Sequence, residues 1–166
     1  MSTYWRFETS AVHAGYVPDS SVPAVATPIY QTAAFAFEDS QHAADLFDQQ
    51  VPGYIYTRIG NPTSQFLADR VATLEQGVGA VGVGSGQAAV ASAIVAIAGA
   101  GDNVLASSAL YGTTYNLLAQ TLPQFGVEAR LCRHDDLTAF EAAIDAGTRA
   151  VFCETIANPA GHVADL

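Results

Sequence analysis

The chain has 166 residues, a net charge of −10 and a sequence pI of about 4.4, and half of its residues are hydrophobic. This balance argues against a nucleic-acid or anionic-membrane surface, because both need clustered positive charge and only six residues are basic. No apolar run approaches the roughly 20 residues of a membrane-spanning helix, and the N-terminus lacks a secretory signal pattern, so we expect a soluble, cytoplasmic protein.

The six basic residues are all arginines, so these 166 residues contain no lysine. The two cysteines, Cys132 and Cys153, lie in separate apolar runs without the C-x-x-C spacing of metal or redox sites. We therefore expect buried, reduced thiols and no metal site.

Residues 1–60 are predicted to form an N-terminal arm. Prolines interrupt a segment rich in Ser, Thr, Tyr and Phe, and one short helix is expected from Asp39 to Gln49, capped by Asp39 or Ser40. The rest of the arm should be extended and should need another surface to become ordered.

A regular pattern begins at Asn61. Asn61 is a suitable N-cap, Pro62 suits the first helical position, and Leu67, Val71 and Leu74 recur on one helical face. Beyond this helix, short apolar runs alternate with helical segments. The runs predicted as strands are 80–83, 103–106, 127–132 and 150–154, and the predicted helices are 87–98, 113–122 and 137–145.

This alternation predicts an α/β fold with a mostly parallel sheet. Right-handed crossovers would place loops 84–87, 107–114 and 154–159 at the carboxyl ends of the strands, where open sheets bind ligands. Because the sequence stops soon after the fourth run, we expect residues 61–166 to be the first part of a larger domain.

The strongest local feature is the glycine-rich segment 82–87, between a predicted strand and a helix. Glycines allow a ligand to approach closely, and the N–H groups at a helix N-terminus suit an anionic phosphate. The alternative is a tight turn that only packs the helix on the sheet. A dinucleotide site is a further alternative, but its acidic partner is missing, because Asp102 precedes the second strand instead of ending it.

Three further places in the sequence offer candidate side chains: the segment 56–58, Tyr111 and Asn158. In the segment 56–58 (YTR), Arg58 could hold a phosphate in bidentate fashion, with Tyr56 adding a hydroxyl. Tyr111 could lie flat over an aromatic cofactor with its hydroxyl available for proton transfer, and Asn158 could donate to an oxygen. Each has a simpler alternative: an exposed arginine beside a helix cap, an aromatic packing contact, or a turn.

The histidines are less informative. His134, next to Asp135 and Asp136, is interpreted as part of a solvated helix cap in preference to a metal ligand. No Ser/His/Asp or Cys/His catalytic set can be read from the order of residues alone.

Taken in order, the candidate segments resemble those of the Cys/Met metabolism enzymes that depend on pyridoxal phosphate (PLP). The FET opening and the SGQ form of the glycine-rich loop are most similar to O-acetylhomoserine sulfhydrylases, whereas cystathionine and methionine lyases more often have methionine in place of Gln87. Thr113 departs from the glycine common in the sulfhydrylases. The matching segments span nearly the whole chain: 7–9 (FET), 11–16 (AVHAGY), 28–32 (PIYQT), 56–58 (YTR) with 61–63 (NPT), 85–89 (SGQAA), 110–112 (LYG) and 154–159 (ETIANP).

The resemblance implies the aspartate-aminotransferase type of PLP fold, with a mostly parallel sheet, helices on both faces and an incomplete large domain after an extended arm. It implies that the backbone at Gly86 and Gln87 holds the cofactor phosphate. Tyr111 would stack on the pyridine ring and is the candidate catalytic residue. Asn158 would contact the phenolic oxygen of the cofactor or the carboxylate of the substrate, and Glu154 would be a supporting residue.

The resemblance also implies partners and a reaction. Tyr56 and Arg58 would reach the phosphate of a neighbouring subunit in a homo-oligomer, expected to be a tetramer. The reaction would be γ-replacement on O-acetyl-L-homoserine by sulfide or a thiol, giving homocysteine or methionine plus acetate. Cystathionine γ-synthase, cystathionine γ-lyase and methionine γ-lyase are alternatives within the family. A nicotinamide oxidoreductase half-domain and a non-catalytic interaction module are alternatives of other classes.

The lysine that anchors PLP in this family, and the aspartate that pairs with its pyridine nitrogen, would lie beyond Leu166, so we expect the 166 residues to be a fragment. Arginine cannot replace this lysine, because it stays protonated and is not nucleophilic. The isolated polypeptide is therefore predicted to show neither absorbance from lysine-bound PLP nor sulfhydrylase activity. Absorbance spectra and an activity assay of the pure polypeptide test this, and either signal would contradict it.

Overall fold

The computed structural model describes residues 5–165, which form two compact units with their boundary between Gly82 and Val83. No helix in this part of the chain is long and apolar enough to cross a bilayer. The helices described in the first unit are α1 (Phe7–His13), α2 (Ser40–Phe47) and α3 (Pro62–Leu74). The second unit contains, in order, α4 (Gly86–Val95), β1 (Asn103–Ser107), α5 (Gly112–Asn116), β2 (Glu128–Cys132), α6 (Leu137–Ala143) and β3 (Thr148–Phe152).

The three strands form a parallel sheet in the order β2-β1-β3, which confirms the predicted sheet type. In the central strand β1, Val104 pairs with Ala129 of β2 and with Ala150 of β3. Parallel strands joined by crossovers have their carboxyl ends along one edge. The loops that follow β1, β2 and β3 therefore leave the sheet on the same side.

The core of the second unit covers both faces of β1. Val104 and Ala106 pack on one face against Ile94 of α4 and against Leu118. Leu105, which strand alternation places on the opposite face, is also fully buried. Residues buried on both faces explain why the β1 sequence is a continuous apolar run.

Both cysteines are free thiols. Cys132 is buried at the end of β2, as predicted. Cys153 follows the outer strand β3 and is only half-buried, because β3 alternates between exposed and partly covered residues.

Helix α3 begins at the predicted cap, Asn61, but it buries a different face from the predicted one. Leu67 and Val71, expected on the buried face, are 61% and 41% exposed. Beyond Pro62 at its first position, the residues that α3 buries are small, namely Ala68 and Ala72. Hydrophobic periodicity indicated the helix correctly, but it did not identify the face on which small residues allow close packing.

Helix α3 also makes a close backbone contact with the segment after α1. Gly15 has φ +79°, and a Cβ at this position would lie 2.6 Å from the backbone nitrogen of Arg70 and 2.7 Å from the carbonyl oxygen of Phe66. Arg70 Nε also donates to the carbonyl oxygen of Ala14 at 2.8 Å. Helix α1 itself contradicts the expectation of an extended arm; it is short and has no side-chain cap, so local signals did not reveal it.

The apolar run 80–83 was predicted to be a strand, and this prediction is wrong. The run has no regular structure, and Val81 is 86% exposed. Among the described residues, no backbone hydrogen bond joins it to another segment. An extended apolar run becomes a strand only where a neighbouring backbone satisfies its polar groups, and the other three runs have such neighbours.

The helix predicted near 113–122 is longer and less regular than expected. After α5 the chain continues as a π-helical segment, Leu117–Thr121, and then as a 3₁₀ turn, Leu122–Phe125. The helical path ends at Gly126, where φ is +82° and a Cβ would lie 2.9 Å from the Cβ of Ala100. Both the left-handed backbone and the close contact favour glycine there.

A polar network joins the amino ends of the three strands. Asp145 accepts hydrogen bonds from Arg130 Nη1 at 2.7 Å, from Asn103 Nδ2 at 2.8 Å and from the backbone of Gly147 at 2.8 Å. These donors, with Arg130 first, lower the pKa of the Asp145 carboxyl to about 2. The charge network therefore lies at the edge of the sheet opposite the candidate loops.

This network predicts a specific loss of stability in acid. A carboxyl whose pKa falls from 3.8 when unfolded to about 2 when folded stabilises the protein above roughly pH 4, and the stabilisation is lost as the pH falls towards 2. D145N should therefore be less stable than the parent protein at neutral pH and should lose less stability between pH 4 and pH 2. Urea denaturation at stepped pH measures the free energy of unfolding.

The matched control is D48N, because Asp48 is exposed and its side chain makes no hydrogen bond in the described part of the chain. D48N should retain the pH dependence of the parent protein. The same pH slope in D145N and the parent protein would contradict the assignment to Asp145.

Candidate functional site

The glycine-rich loop leads directly into helix α4. Ser85 is the N-cap: its Oγ accepts from the backbone N–H of Ala88 at 3.1 Å, and its carbonyl accepts from Ala89 at 3.0 Å. The backbone N–H groups of Gly86 and Gln87 have no acceptor among the described residues. A Cβ at Gly86 would meet no atom within 4 Å. The first turn of α4 thus presents two donors to open space, as an anion requires.

A side-chain hydrogen bond links this helix to the loop after β1. Gln87 Nε2 donates to Oγ1 of Thr114 at 2.8 Å, and Thr114 is only 2% exposed. Thr114 lies in the first turn of α5, whose N-cap residue is Tyr111. The Tyr111 side chain is 45% exposed, so its ring remains accessible.

The loop after β3 is joined to the same place by one carboxylate. Glu154 Oε1 accepts from the backbone N–H of Tyr111 at 2.9 Å, and Oε2 accepts from the backbone N–H of Asn158 at 3.3 Å. Asn158 itself is exposed. The Gln87–Thr114 hydrogen bond and the two hydrogen bonds to Glu154 therefore connect the segments that carry Gln87, Tyr111 and Asn158.

A cleft of about 310 Å³ lies between the loops that follow β1, β2 and β3, and Asn158 is the predicted site residue that lines it, whereas Gly86, Gln87 and Tyr111 do not. The rings of His134 and His162 stack on one side of it, with centroids 4.1 Å apart and an interplanar angle of 24°. The predicted cap after β2 is present, but Asp136 provides it, by accepting from the backbone of Ala139. The remaining lining residues are Ser108, Ala109, Leu110, Ala157, Asn158, Pro159 and Ala160.

Sequence reasoning missed the stacked histidines, and although it expected Glu154 to be a supporting residue, it did not identify the two loops that Glu154 joins. His134 and His162 come from different loops, and no local pattern signals their contact. The Glu154 bridge also joins residues that are 43 positions apart, so only the sheet topology could have indicated it.

In the first unit, Tyr56 and Arg58 form a pair of their own. The Arg58 guanidinium lies over the Tyr56 ring, 5.9 Å from its centroid, within the range of a cation–π contact. Both residues are exposed, and Arg58 makes no salt bridge with any residue that the structure describes. The pair is therefore available to an anion.

Polar contacts hold the backbone around this pair. Asn61 is 5% exposed, and its Nδ2 donates to the carbonyl of Tyr30 and to Oγ1 of Thr57, each at 3.0 Å. Thr63 Oγ1 accepts from the backbone N–H of Tyr30 at 2.9 Å. Thr57 also donates to the carbonyl of Thr32. The segment that carries Tyr56 and Arg58 is thus held against residues 30–32 by hydrogen bonds.

The residues of the second unit fit PLP in chemical type. The cofactor has an anionic phosphate, a flat aromatic ring and a phenolic oxygen. The chain offers unpaired N–H donors at Gly86 and Gln87, an exposed aromatic ring at Tyr111 and an exposed amide at Asn158. The individual roles of these residues stay predictions.

Comparison with known proteins agrees with this chemistry. The sequence profile of the Cys/Met metabolism PLP-dependent enzymes matches residues 8–166. The O-acetyl-L-homoserine sulfhydrylase of Leptospira meyeri is 44% identical over 166 residues, which are all of this chain and 38% of that protein.

Two solved structures show the same fold. The metY protein of Campylobacter jejuni, named as an O-acetylhomoserine (thiol)-lyase, has a TM-score of 0.89 and 42% identity, and it contains a pyridoxyl-lysine phosphate. Cystathionine gamma-lyase of Lactobacillus plantarum has a TM-score of 0.83 and 32% identity. The match covers 97% of this chain in each case, and 40% of each of those chains.

The expected fold is therefore confirmed: the chain has the fold of PLP-dependent enzymes, and it spans about two-fifths of the length of the proteins it matches. The family profile covers nearly every residue, from the N-terminal arm to the loop that carries Asn158. The chain belongs to the family of Cys/Met metabolism PLP-dependent enzymes.

Proposed function

We propose that the complete polypeptide that carries this chain is an O-acetyl-L-homoserine sulfhydrylase. It would replace the acetate of O-acetyl-L-homoserine with sulfide or a thiol, giving homocysteine or methionine plus acetate. The main support is the carboxyl edge of the second unit, where hydrogen-bonded loops present free backbone N–H groups, an accessible aromatic ring and an exposed amide. The 44% identity with a protein named for this activity supports the choice of reaction.

PLP would be held first by its phosphate. The backbone N–H groups of Gly86 and Gln87 would donate to the phosphate oxygens, with the positive end of the α4 dipole adding attraction. The open space at Gly86 leaves room for this close approach. When bound, PLP supplies an electron sink for charge that develops on the amino-acid substrate.

Tyr111 and Asn158 would orient the ring and the substrate. The exposed Tyr111 ring would lie over the pyridine, and its Oη would move a proton in the reaction. The Asn158 side-chain amide would donate to the phenolic oxygen of the cofactor or to the substrate carboxylate. Because Tyr111 is anchored through its backbone, its hydroxyl stays available for this work.

Gln87 favours a sulfhydrylase over a lyase within the family. The lyases that the sequence resembles more often have methionine at this position, which has no amide to donate. Here Gln87 Nε2 bonds to the buried Thr114. The lower identity with a cystathionine gamma-lyase, 32%, is consistent with this choice.

The proposal extends to assembly and to domains. Tyr56 and Arg58 would act in trans, on the phosphate held by a neighbouring subunit of a homotetramer, and their exposed cation–π pair supports a role in anion binding. Residues 1–60 would be the arm, and residues 61–166 the first part of the large PLP-binding domain. The cytoplasm would be the site of action.

The activity test separates proton transfer from ring stacking. With O-acetyl-L-homoserine and sulfide, the complete polypeptide should release acetate and homocysteine. Y111F should lower kcat by about a hundredfold, because a general acid–base group contributes about 10²–10⁴, while PLP affinity stays nearly unchanged because the ring remains. Y115F is the matched control on α5, with a similarly exposed side chain, and it should be as active as the parent enzyme.

Cleavage of cystathionine without sulfide-dependent homocysteine formation would replace this proposal with the lyase alternative. Thermal stabilisation by NAD and not by PLP would instead favour the oxidoreductase alternative. Equal activity in Y111F and the parent enzyme would remove Tyr111 from catalysis.

The phosphate site has its own test. G86A should fold normally, because the added Cβ meets no atom within 4 Å, but it should weaken PLP binding by about tenfold, or about 1.4 kcal/mol, as the methyl group occupies the phosphate position. Absorbance titration with PLP measures the Kd. G99A is the control at the amino end of β1, where a Cβ meets only Asp102 at 4.0 Å. Equal PLP affinities for G86A and G99A would contradict the phosphate assignment.

A further inference from the structure

Within residues 5–165, Glu154 is the one side chain that hydrogen-bonds both to the loop after β1 and to the loop after β3. Its position just past β3 places it beside the neighbouring strand β1. One carboxylate oxygen accepts from the backbone N–H of Tyr111 at 2.9 Å, and the other accepts from the backbone N–H of Asn158 at 3.3 Å. Each oxygen therefore serves a different loop.

The turn that carries Asn158 is already compact before this contact is counted. The backbone N–H of Ala157 donates to the carbonyl of His162 at 2.8 Å, and that of Gly161 donates to the carbonyl of Ala157 at 2.8 Å. Ala157 is 4% exposed. The turn is therefore closed by its own backbone hydrogen bonds, and the bond to Glu154 joins it to the loop that carries Tyr111.

The Tyr111 loop is held from two directions. Besides the bond from its backbone to Glu154, the helix that it caps is tied to α4 through Gln87 and Thr114. Removing Glu154 would leave the bond on the α4 side intact. Loss of the carboxylate would therefore affect mainly the distance between Tyr111 and Asn158.

We propose that Glu154 is a positioning residue that sets the spacing between Tyr111 and Asn158, the two residues that would orient PLP. This inference rests on the proposed function. Glu154 acts through two backbone amides, and neither carboxylate oxygen needs to touch cofactor or substrate. Hydrogen bonds from N–H groups to a carboxylate are stronger than neutral ones, so one side chain suffices.

Two substitutions remove the bridge in steps. E154Q keeps one acceptor oxygen but turns an NH₂ group towards the other amide, so the longer bond, to Asn158, should be lost first. E154A removes both acceptors. E141Q is the matched control, since Glu141 is exposed on α6 and its side chain makes no hydrogen bond within the described residues.

Hydrogen exchange of the complete polypeptide without PLP tests the bridge itself. E154Q should raise the exchange rate at Asn158 about tenfold, and E154A should raise the rates at both Tyr111 and Asn158 by about as much, in line with the loss of a charge-assisted hydrogen bond. Both variants should still melt cooperatively, with a midpoint only a few degrees below that of E141Q, because the bridge is a small part of the total stability. Unchanged exchange at both amides in E154A would overturn the proposal.

Visible circular dichroism of bound PLP tests the effect on the cofactor. E154Q and E154A should still bind PLP through the α4 phosphate site, with the dichroic band reduced or shifted because the ring is no longer held at one angle. A band identical to that of the parent protein, together with faster exchange, would overturn the positioning role. If the parent protein binds no PLP, the proposed function fails, and the exchange rates still decide whether Glu154 holds the two loops together.

Discussion

The parallel pairing of β1 with both of its neighbours is the constraint on which the site depends. Because β2 and β3 run in the same direction as β1, all three strand ends lie at one edge. Residues 108–111 and 154–158 are far apart in sequence but become neighbours there. Burial of β1 on both faces holds the strand in place, so the loops have a rigid base.

The two edges of the sheet have contrasting chemistry. At the amino edge, Asp145, Arg130 and Asn103 satisfy one another in a closed polar network. At the carboxyl edge, the donors at Gly86 and Gln87 have no acceptor among the described residues, and Tyr111 is accessible. Polar groups that are satisfied stabilise the fold, whereas polar groups left open at the other end are available to a ligand.

Local features of the chain were predictable from the sequence. The caps at Asp39 and Asn61 were recognisable because a capping side chain bonds within three residues of itself. The strands β1, β2 and β3 were predicted from apolar runs, and the family resemblance rested on short segments in a fixed order. These signals depend only on neighbouring residues.

Features set by distant contacts were not predictable. The run 80–83 has the composition of a strand but no paired neighbour among the described residues, and the close contact of Gly15 with α3 joins residues more than 50 positions apart. The Glu154 bridge and the stacked histidines likewise need the sheet order before they can be inferred. Hydrophobic periodicity indicates which residues favour burial, but it does not indicate which distant segments pack against them.

The hydrogen bonds around Asn61 affect how Tyr56 and Arg58 can bind an anion. Tyr56 and Arg58 project from a backbone already fixed by Asn61, Thr57 and Thr63. Because the main chain is ordered beforehand, this guanidinium loses only side-chain conformational entropy when it binds an anion. The Arg58 guanidinium then binds best an anion that lies where the ordered backbone directs the side chain. An anion placed elsewhere gains little from the charge.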